Sequence, residues 1–234
     1  YKRQVSNVSH ELKTPLTAIM GFIETINGPA KNDVEQKEKF LKIIQVEAER
    51  MQRLVNDTLS LTRVEESEYQ TPNERVSLWY CANSACDSVQ TLADKKNIKI
   101  SFQKEYQKDE FFIKGNADQI TEVFENLLDN AITYSKDDTN ITIAFSEKEE
   151  NIEFKIIDQG HGIPKDDIVR VSERFFRSKT ANMYKKNSSG LGLAIVKHII
   201  NRHAGSLLIE STEGKGSTFT CLLYTSPSPR DREK

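Results

Sequence analysis

Cysteine is scarce in this chain, and the three present, Cys81, Cys86 and Cys221, are an odd number without the pairing of a metal site. That count argues against a disulfide framework, and reduced thiols in a cytoplasmic setting are expected. Long apolar runs are missing too. No stretch approaches the length that crosses a bilayer, and no signal peptide is expected within these residues. The chain starts at Tyr1, without methionine, straight into a helical pattern, and reads as a fragment whose upstream part is missing. Any tie to a membrane is expected to run through that part alone. Charge of one sign is also lacking: Lys and Arg number 33 against 35 Asp and Glu, for a net charge of −2. No field strong enough to hold nucleic acid follows from that balance. There is no internal repeat, and 234 residues suffice for one or two domains with ordinary cores.

What is present begins with an apolar line, Val5, Val8, Leu12, Ile19, Phe22 and Ile26, with Pro15 in the remaining slot. That alternating three-and-four spacing is the seam of a helix in a bundle or coiled coil. His10 falls midway between Val8 and Leu12 and so points away from the seam. Glu11 adjoins it, and Thr14 lies four residues on, along the same face. An exposed imidazole beside a carboxylate can act as a nucleophile, although such pairs also occur as plain surface features. Pro15 removes one N–H and predicts a kink rather than a break, because the apolar spacing resumes in phase beyond it. Asn27-Gly28-Pro29 marks a turn, and a second helix is expected to start near Asn32-Asp33. Its seam reads Leu41, Ile44, Ala48, Met51, Val55. Two such helices leave a long apolar stripe uncovered. A symmetric second copy, giving a homodimeric four-helix bundle, would cover it; the alternative is that the downstream domain does.

After Val64 the composition changes, and residues 67–75 read as a linker. From there to about residue 223 helices are expected at 79–95, 117–134 and 191–203. Strands are expected at 98–103, 111–114, 139–146, 151–158, 206–212 and 217–223. The class is therefore α+β, a helical hairpin followed by an α/β sandwich with helices on one face of a mixed sheet. Three motifs in this second part suit nucleotide chemistry. Asn126 and Asn130, four apart, share a helix face, and amide oxygens suit a magnesium ion that keeps most of its waters. A solvated helix face would look the same. Asp158-Gln159-Gly160-His161-Gly162 ends a buried strand, where a carboxylate can accept a hydrogen bond from an exocyclic amine; a simple turn also fits. In Gly190-Leu191-Gly192-Leu193 the backbone amides opening an apolar helix favour phosphates. Between the last two motifs lies a basic stretch with Arg174, Arg177, Lys179, Lys185 and Lys186, which reads as a lid over a phosphate site or as a surface loop.

The string SHELKTPLTAI, Ser9 to Ile19, resembles the phosphoacceptor segment of the sensor histidine kinases of two-component signalling. The order of the three downstream motifs resembles the ATP-binding domain shared by histidine kinases, gyrase-type ATPases, mismatch-repair ATPases and heat-shock chaperones. The likeness covers about residues 1–223. It implies His10 as phosphoacceptor, Glu11 as the base taking the other ring proton, and Thr14 as the residue positioning water for dephosphorylation of a partner. It implies Asn126 as the Mg2+ ligand, with Asn130 and Tyr134 lining the ATP pocket. By the same likeness Asp158 reads the adenine amine, Gly160 and Gly162 shape its pocket, and Gly190 and Gly192 let the lid approach the phosphates. Arg177 and Lys179 would face the phosphoryl groups. The string Gly214 to Phe219 matches the family's closing glycine segment. Partners implied are a second copy and the receiver domain of a response regulator.

Departures from the family pattern are Thr133 where a lysine is common, Ser188 where a glycine often stands, and Val171-Ser172 in place of a bulkier apolar pair. The strings at Gly21–Thr25, Gly28–Ala30 and His198–His203 look most like the phosphate-regulon sensor kinases. Residues 224–234, with two prolines and alternating charges, read as a disordered tail or a non-native extension. The domain expectation is therefore 1–66 for dimerisation and phosphoacceptance, a linker at 67–75, and 76–223 for ATP binding. Competing expectations are a chaperone-like or mismatch-repair-like ATPase, in which Glu122 activates water, and a scaffold that binds nucleotide poorly.

Overall fold

The computed structural model describes residues 2–66, 72–104, 111–148, 151–178 and 189–224. They form two compact units, one built on a helical hairpin through Thr62 and the other on seven strands and their helices.

The hairpin consists of α1 (Lys2–Asn27) and α2 (Val34–Glu66). Helix α1 runs without interruption through Pro15, which is buried. Proline has no N–H to give the carbonyl one turn earlier. Around it two hydroxyls hydrogen-bond helix carbonyls, Thr14 Oγ1 donating to His10 O at 3.4 Å and Thr17 Oγ1 to Lys13 O at 2.9 Å. The turn closes α1 through Gly28 N–H to Glu24 O and Ala30 N–H to Thr25 O, both 2.9 Å. Asp33 then caps α2, its Oδ1 accepting from Gln36 N–H at 2.9 Å and its Oδ2 from the Gln36 amide at 2.7 Å.

The inward face of α2 differs from the seam read off its spacing. Phe40 stacks on Phe22 with ring centroids 5.3 Å apart, and Ile43, Ile44 and Met51 are half-buried with Leu54 buried. Leu41, Ala48 and Val55 are exposed. Residues seven apart lie nearly in one line on a helix, and that line sits about 60° round from Ile44 and Met51. The apolar stripe is wide enough to hold both lines, so spacing alone merges two faces. With Leu16, Met20 and Ile23 on α1 and Leu59 on α2, the outer line leaves the hairpin with an apolar surface of its own.

The second unit holds β1 (Glu74–Ser77), α3 (Leu78–Lys95), β2 (Lys99–Phe102), β3 (Phe112–Gly115), α4 (Ala117–Tyr134), β4 (Asn140–Lys148), β5 (Asn151–Ile157), α5 (Lys165–Ile168), α6 (Gly192–Arg202), β6 (Ser206–Thr212) and β7 (Gly216–Tyr224). The main sheet is mixed, in the order β2-β4-β5-β7-β6, with only the β2–β4 pair parallel. Strand β5 alternates, burying Ile152, Phe154 and Ile156. Helix α4 lies on β5 between α3 and α6, and its buried face (Ile120, Val123, Phe124, Leu127, Leu128, Ala131, Ile132) continues that core. Phe124 and Phe154 meet at 4.4 Å, each worth about 2–3 kcal/mol by burial. Ser77 caps α3 and Asn116 caps α4. Strand β1 pairs antiparallel with β3 and begins inside the stretch 67–75 read as linker. Four residues with little apolar character carry no period of their own, so the pairing fixes this strand. The three cysteines are free thiols. Burial pushes their pKa values up, Cys86 to about 11, which suits packing rather than reactivity.

Candidate functional site

On the hairpin, His10 and Thr14 are exposed on α1 and Glu11 is half-buried beside them. The Glu11 carboxylate is turned to α2, where Arg50 Nη2 lies 3.5 Å from Oε2 and a second Arg50 nitrogen lies 3.7 Å from Glu47 Oε2. Nothing in the spacing of α1 announces that pair, because its other half sits on the next helix.

In the second unit Asp158 stands just past the end of β5 and is buried. Two backbone donors reach the same oxygen, Gly160 N–H at 2.8 Å and Ser217 N–H at 3.0 Å, both on Oδ1. Oδ2 is left to accept from a ligand. Burial raises the pKa of this carboxyl, and the two N–H bonds pull it back, so the charged form is held at a cost. Glycine is required around it. A Cβ at Gly160 would lie 2.6 Å from Tyr134 O, and one at Gly216, where φ is +121°, would lie 2.2 Å from Asp158 O. Ser211 ties this wall together, its hydroxyl accepting from Ile163 N–H at 2.8 Å and donating to Gly216 O at 2.9 Å.

The third motif approaches from the other side. Leu191 is the N-cap of α6 and gives no side-chain cap, so the first-turn N–H groups receive none from it and could hold an anion. Asn126 meets that end: a Cβ on Gly192 would sit 2.7 Å from Asn126 Oδ1 and 4.0 Å from Asn130 Nδ2. Asn126 Nδ2 donates to Glu122 O at 2.9 Å, which aims Oδ1 toward the helix end. The fold thus brings Asn126, Asn130, Gly192 and the uncapped amides into one place. Leu191 is buried and Leu193 half-buried, so these two contribute backbone and packing. Tyr134 borders the Asp158 wall through its carbonyl, which accepts from His161 N–H at 3.1 Å. The His161 pKa is lowered by partial burial and by the charges of Lys136 and Lys96.

The described part of the basic stretch is anchored near the same glycines. Phe175 N–H donates to Gly190 O at 2.9 Å, and both residues have positive φ, +61° and +71°. Arg177 follows two residues on and is half-buried. Lys179, Lys185, Lys186 and Ser188 lie outside the described residues, as does the tail beyond Tyr224. Among the described residues no group of three or more His, Cys, Asp or Glu is arranged to hold a metal ion. No helix among them is long and apolar enough to cross a membrane.

Two family descriptions match this chain: the His Kinase A (phospho-acceptor) domain over residues 1–67, and the histidine kinase-, DNA gyrase B- and HSP90-like ATPase over residues 115–227. The chain belongs to the sensor histidine kinases. It is 34% identical over 231 residues to the sensor histidine kinase WalK of Bacillus subtilis, covering 98% of this chain and 37% of WalK. It is 36% identical over 217 residues to the phosphate regulon sensor protein PhoR of Pseudomonas aeruginosa, covering 93% of this chain and 48% of PhoR. The chain thus spans less than half the length of these relatives. Among solved structures, Acinetobacter baumannii histidine kinase AdeS shares the fold with a TM-score of 0.70 at 24% identity, covering 93% of this chain and 98% of that one. Histidine kinase ThkA, in a complex with response regulator protein TrrA, matches with a TM-score of 0.74 at 21% identity, covering 97% of this chain and 63% of that one. The mixed α+β architecture is shared with AdeS and ThkA, and the second unit carries the match to the ATPase domain.

The residues that spacing does not reveal are the supporting ones. Ser217 belongs to the glycine string at 214–219, yet only strand pairing shows that its amide holds Asp158. Ser211 and Arg50 give no signal in one dimension.

Proposed function

We propose that this chain is an ATP-dependent protein-histidine kinase core in which His10 receives the γ-phosphoryl group and passes it to an aspartate of a response-regulator receiver domain. The observation that carries this reading is the meeting of Asn126 with the uncapped N-terminus of α6, in a chain that also exposes His10 beside Glu11. Asp158 Oδ2 accepts from the adenine amine, Gly160 keeps that wall open, and Asn130 and Tyr134 line the nucleotide. The α6 amides from Gly192 onward hold phosphate oxygens.

Asn126 fits a magnesium ion: its amide is oriented by Glu122, it offers a hard oxygen, and Mg2+ needs few protein ligands when it keeps waters and phosphates. Bound there, the ion would neutralise phosphate charge. A ring nitrogen of His10 attacks the γ-phosphorus, the bond to the bridging oxygen breaks, and ADP leaves with that electron pair. Glu11 takes the proton from the other ring nitrogen. Arg177 stabilises charge spread over the transferring group. The reaction needs in-line approach, so the two units must meet during turnover. The receiver aspartate then takes the phosphoryl group from the imidazole, and Thr14 positions the water that later removes it. The exposed apolar line of the hairpin, about which Leu41 and Val55 lie, supports a homodimer.

Incubation with γ-labelled ATP tests the reading. Label that is acid-labile and alkali-stable is expected on the parent and absent from His10→Gln. Equal label on that variant overturns it.

A further inference from the structure

Helix α4 ends where the nucleotide pocket begins, and every carbonyl of that end has a donor. Ala131 O accepts from Ser135 N–H at 3.0 Å, and Tyr134 O accepts from His161 N–H at 3.1 Å. The other three are all taken by one side chain. Lys96 Nζ lies 2.9 Å from Ile132 O, 2.8 Å from Thr133 O and 3.0 Å from Ser135 O. An ammonium has three N–H donors and no acceptor, so the match is complete. It also places a cation at the negative end of the helix dipole, whose last turn has no basic residue of its own.

Of the two carbonyls that Lys96 leaves alone, Tyr134 O is the one that meets the Asp158 wall. Tyr134 O holds His161 N–H, and Ser135 forms a β-bridge with Gly160. A Cβ at Gly160 would stand 2.6 Å from Tyr134 O and 2.9 Å from Asp158 Oδ1. The α4 end, Gly160 and Asp158 are therefore stacked against one another with no spare space. Lys96 is itself fixed at both backbone groups, its N–H donating to Ala93 O at 3.1 Å and its carbonyl accepting from Asp138 N–H at 3.0 Å. The residue is half-buried, with its ammonium against the helix end.

We propose that Lys96 is a positioning residue for base recognition: by occupying three α4 carbonyls it sets where Tyr134 O, and through it Gly160 and Asp158, stand against the adenine ring. The inference rests on the reading of Asp158 as the acceptor of the adenine amine. Without the ammonium, three carbonyls at the helix end lose their donor, and the end frays or turns to find water. The Asp158 wall then loses its backing, while the phosphate contacts at α6, on another element, stay in place.

The test compares binding of ATP with that of inosine triphosphate, which lacks the exocyclic amine, by calorimetry on the whole chain. In Lys96→Met the preference for ATP over inosine triphosphate is expected to fall about tenfold, chiefly through weaker ATP binding. Lys96→Arg is expected to restore most of the preference. Were the methionine variant not to fold, Lys96→Gln gives the same comparison. Equal weakening of both nucleotides, as a purely structural loss produces, or an unchanged preference overturns the proposal. Asp158→Asn separates the underlying reading: if it keeps the parent preference for ATP, the adenine assignment itself fails. If it loses the preference while Lys96→Met keeps it, only the role of Lys96 fails.

Discussion

A methyl group at Gly192 should leave the fold nearly as stable as before and yet cripple the kinase. Built on this backbone, the alanine Cβ would lie 2.7 Å from Asn126 Oδ1 and 3.6 Å from its Cγ. That first distance falls short of van der Waals contact by roughly half an ångström or more. The amide must move, and it is tied at Nδ2 to Glu122 O at 2.9 Å. Turning it away strains or breaks that bond, at about 1 kcal/mol. Against this, alanine in place of glycine within a helix gains about 0.5–1 kcal/mol. The two nearly cancel, so the melting temperature is expected to move by no more than a few degrees. Function has no such compensation. Oδ1 is the proposed magnesium ligand, and displacing the support of a ligand costs about 10–100-fold in metal affinity or activity. Gly192→Ala should therefore form phosphohistidine about 10–100-fold more slowly at limiting Mg2+, with partial recovery as Mg2+ is raised. The assay is the initial rate of label incorporation from γ-labelled ATP across a magnesium titration, beside a melting curve. A parent-like rate at limiting Mg2+ refutes the reasoning, and so does a stability loss large enough to account for the slower rate.

His203 supplies a pH test. Its ring is buried, with Nδ1 donating to Ile199 O at 2.8 Å and Nε2 accepting from Asn116 N–H at 3.1 Å, and burial holds its pKa below 6.5. The unfolded chain takes up a proton there before the folded one does, so this contribution is present above about pH 6.5 and is lost as pH falls below it. The urea midpoint of the parent should drop between pH 7.5 and 5.5 by more than that of His203→Gln, in which His161 titrates as before; equal drops would sink the assignment. For the dimer, Leu41→Glu with Val55→Glu puts charge on the exposed line of α2 and should give monomers of unchanged helix content by sedimentation. A double variant that stays dimeric removes that line from the interface.

Legibility in the sequence follows the range of the interaction that fixes each feature. Helix α4 is expected at 117–134 and found there, because a 3.6-residue period and the Asn116 cap are both local. Strands β4 to β7 are found within two residues of their expected ends, since β-branched alternation is local too. Strand β1 is invisible by contrast: only its register with Phe112–Gly115 makes Glu74–Ser77 extended. On α2 the apolar residues were legible but their assignment to faces was not. Phe40 finds Phe22 on another helix, and a wide stripe does not say which of its edges does so.

The candidate site divides the same way, and the division explains why its glycines stand out while their reasons do not. Gly160, Gly190, Gly192 and Gly216 can each be read as places where backbone must come close. What comes close is Tyr134 O, Phe175, Asn126 Oδ1 and Asp158 O, between 15 and 66 residues away in the chain. Asp158 shows it best. One of its two donors, Gly160, is two residues on, but the other is Ser217, 59 residues on. The antiparallel pairing of Ile157 with Thr218 brings that amide alongside. A carboxylate held by one local and one distant donor keeps its free oxygen in a fixed direction only while β5 and β7 stay in register. A single-residue slip of β7 would turn every side chain of that strand to the other face and would also withdraw the Ser217 amide. On the proposed reading of Asp158, base recognition is therefore a property of sheet register as much as of the aspartate itself.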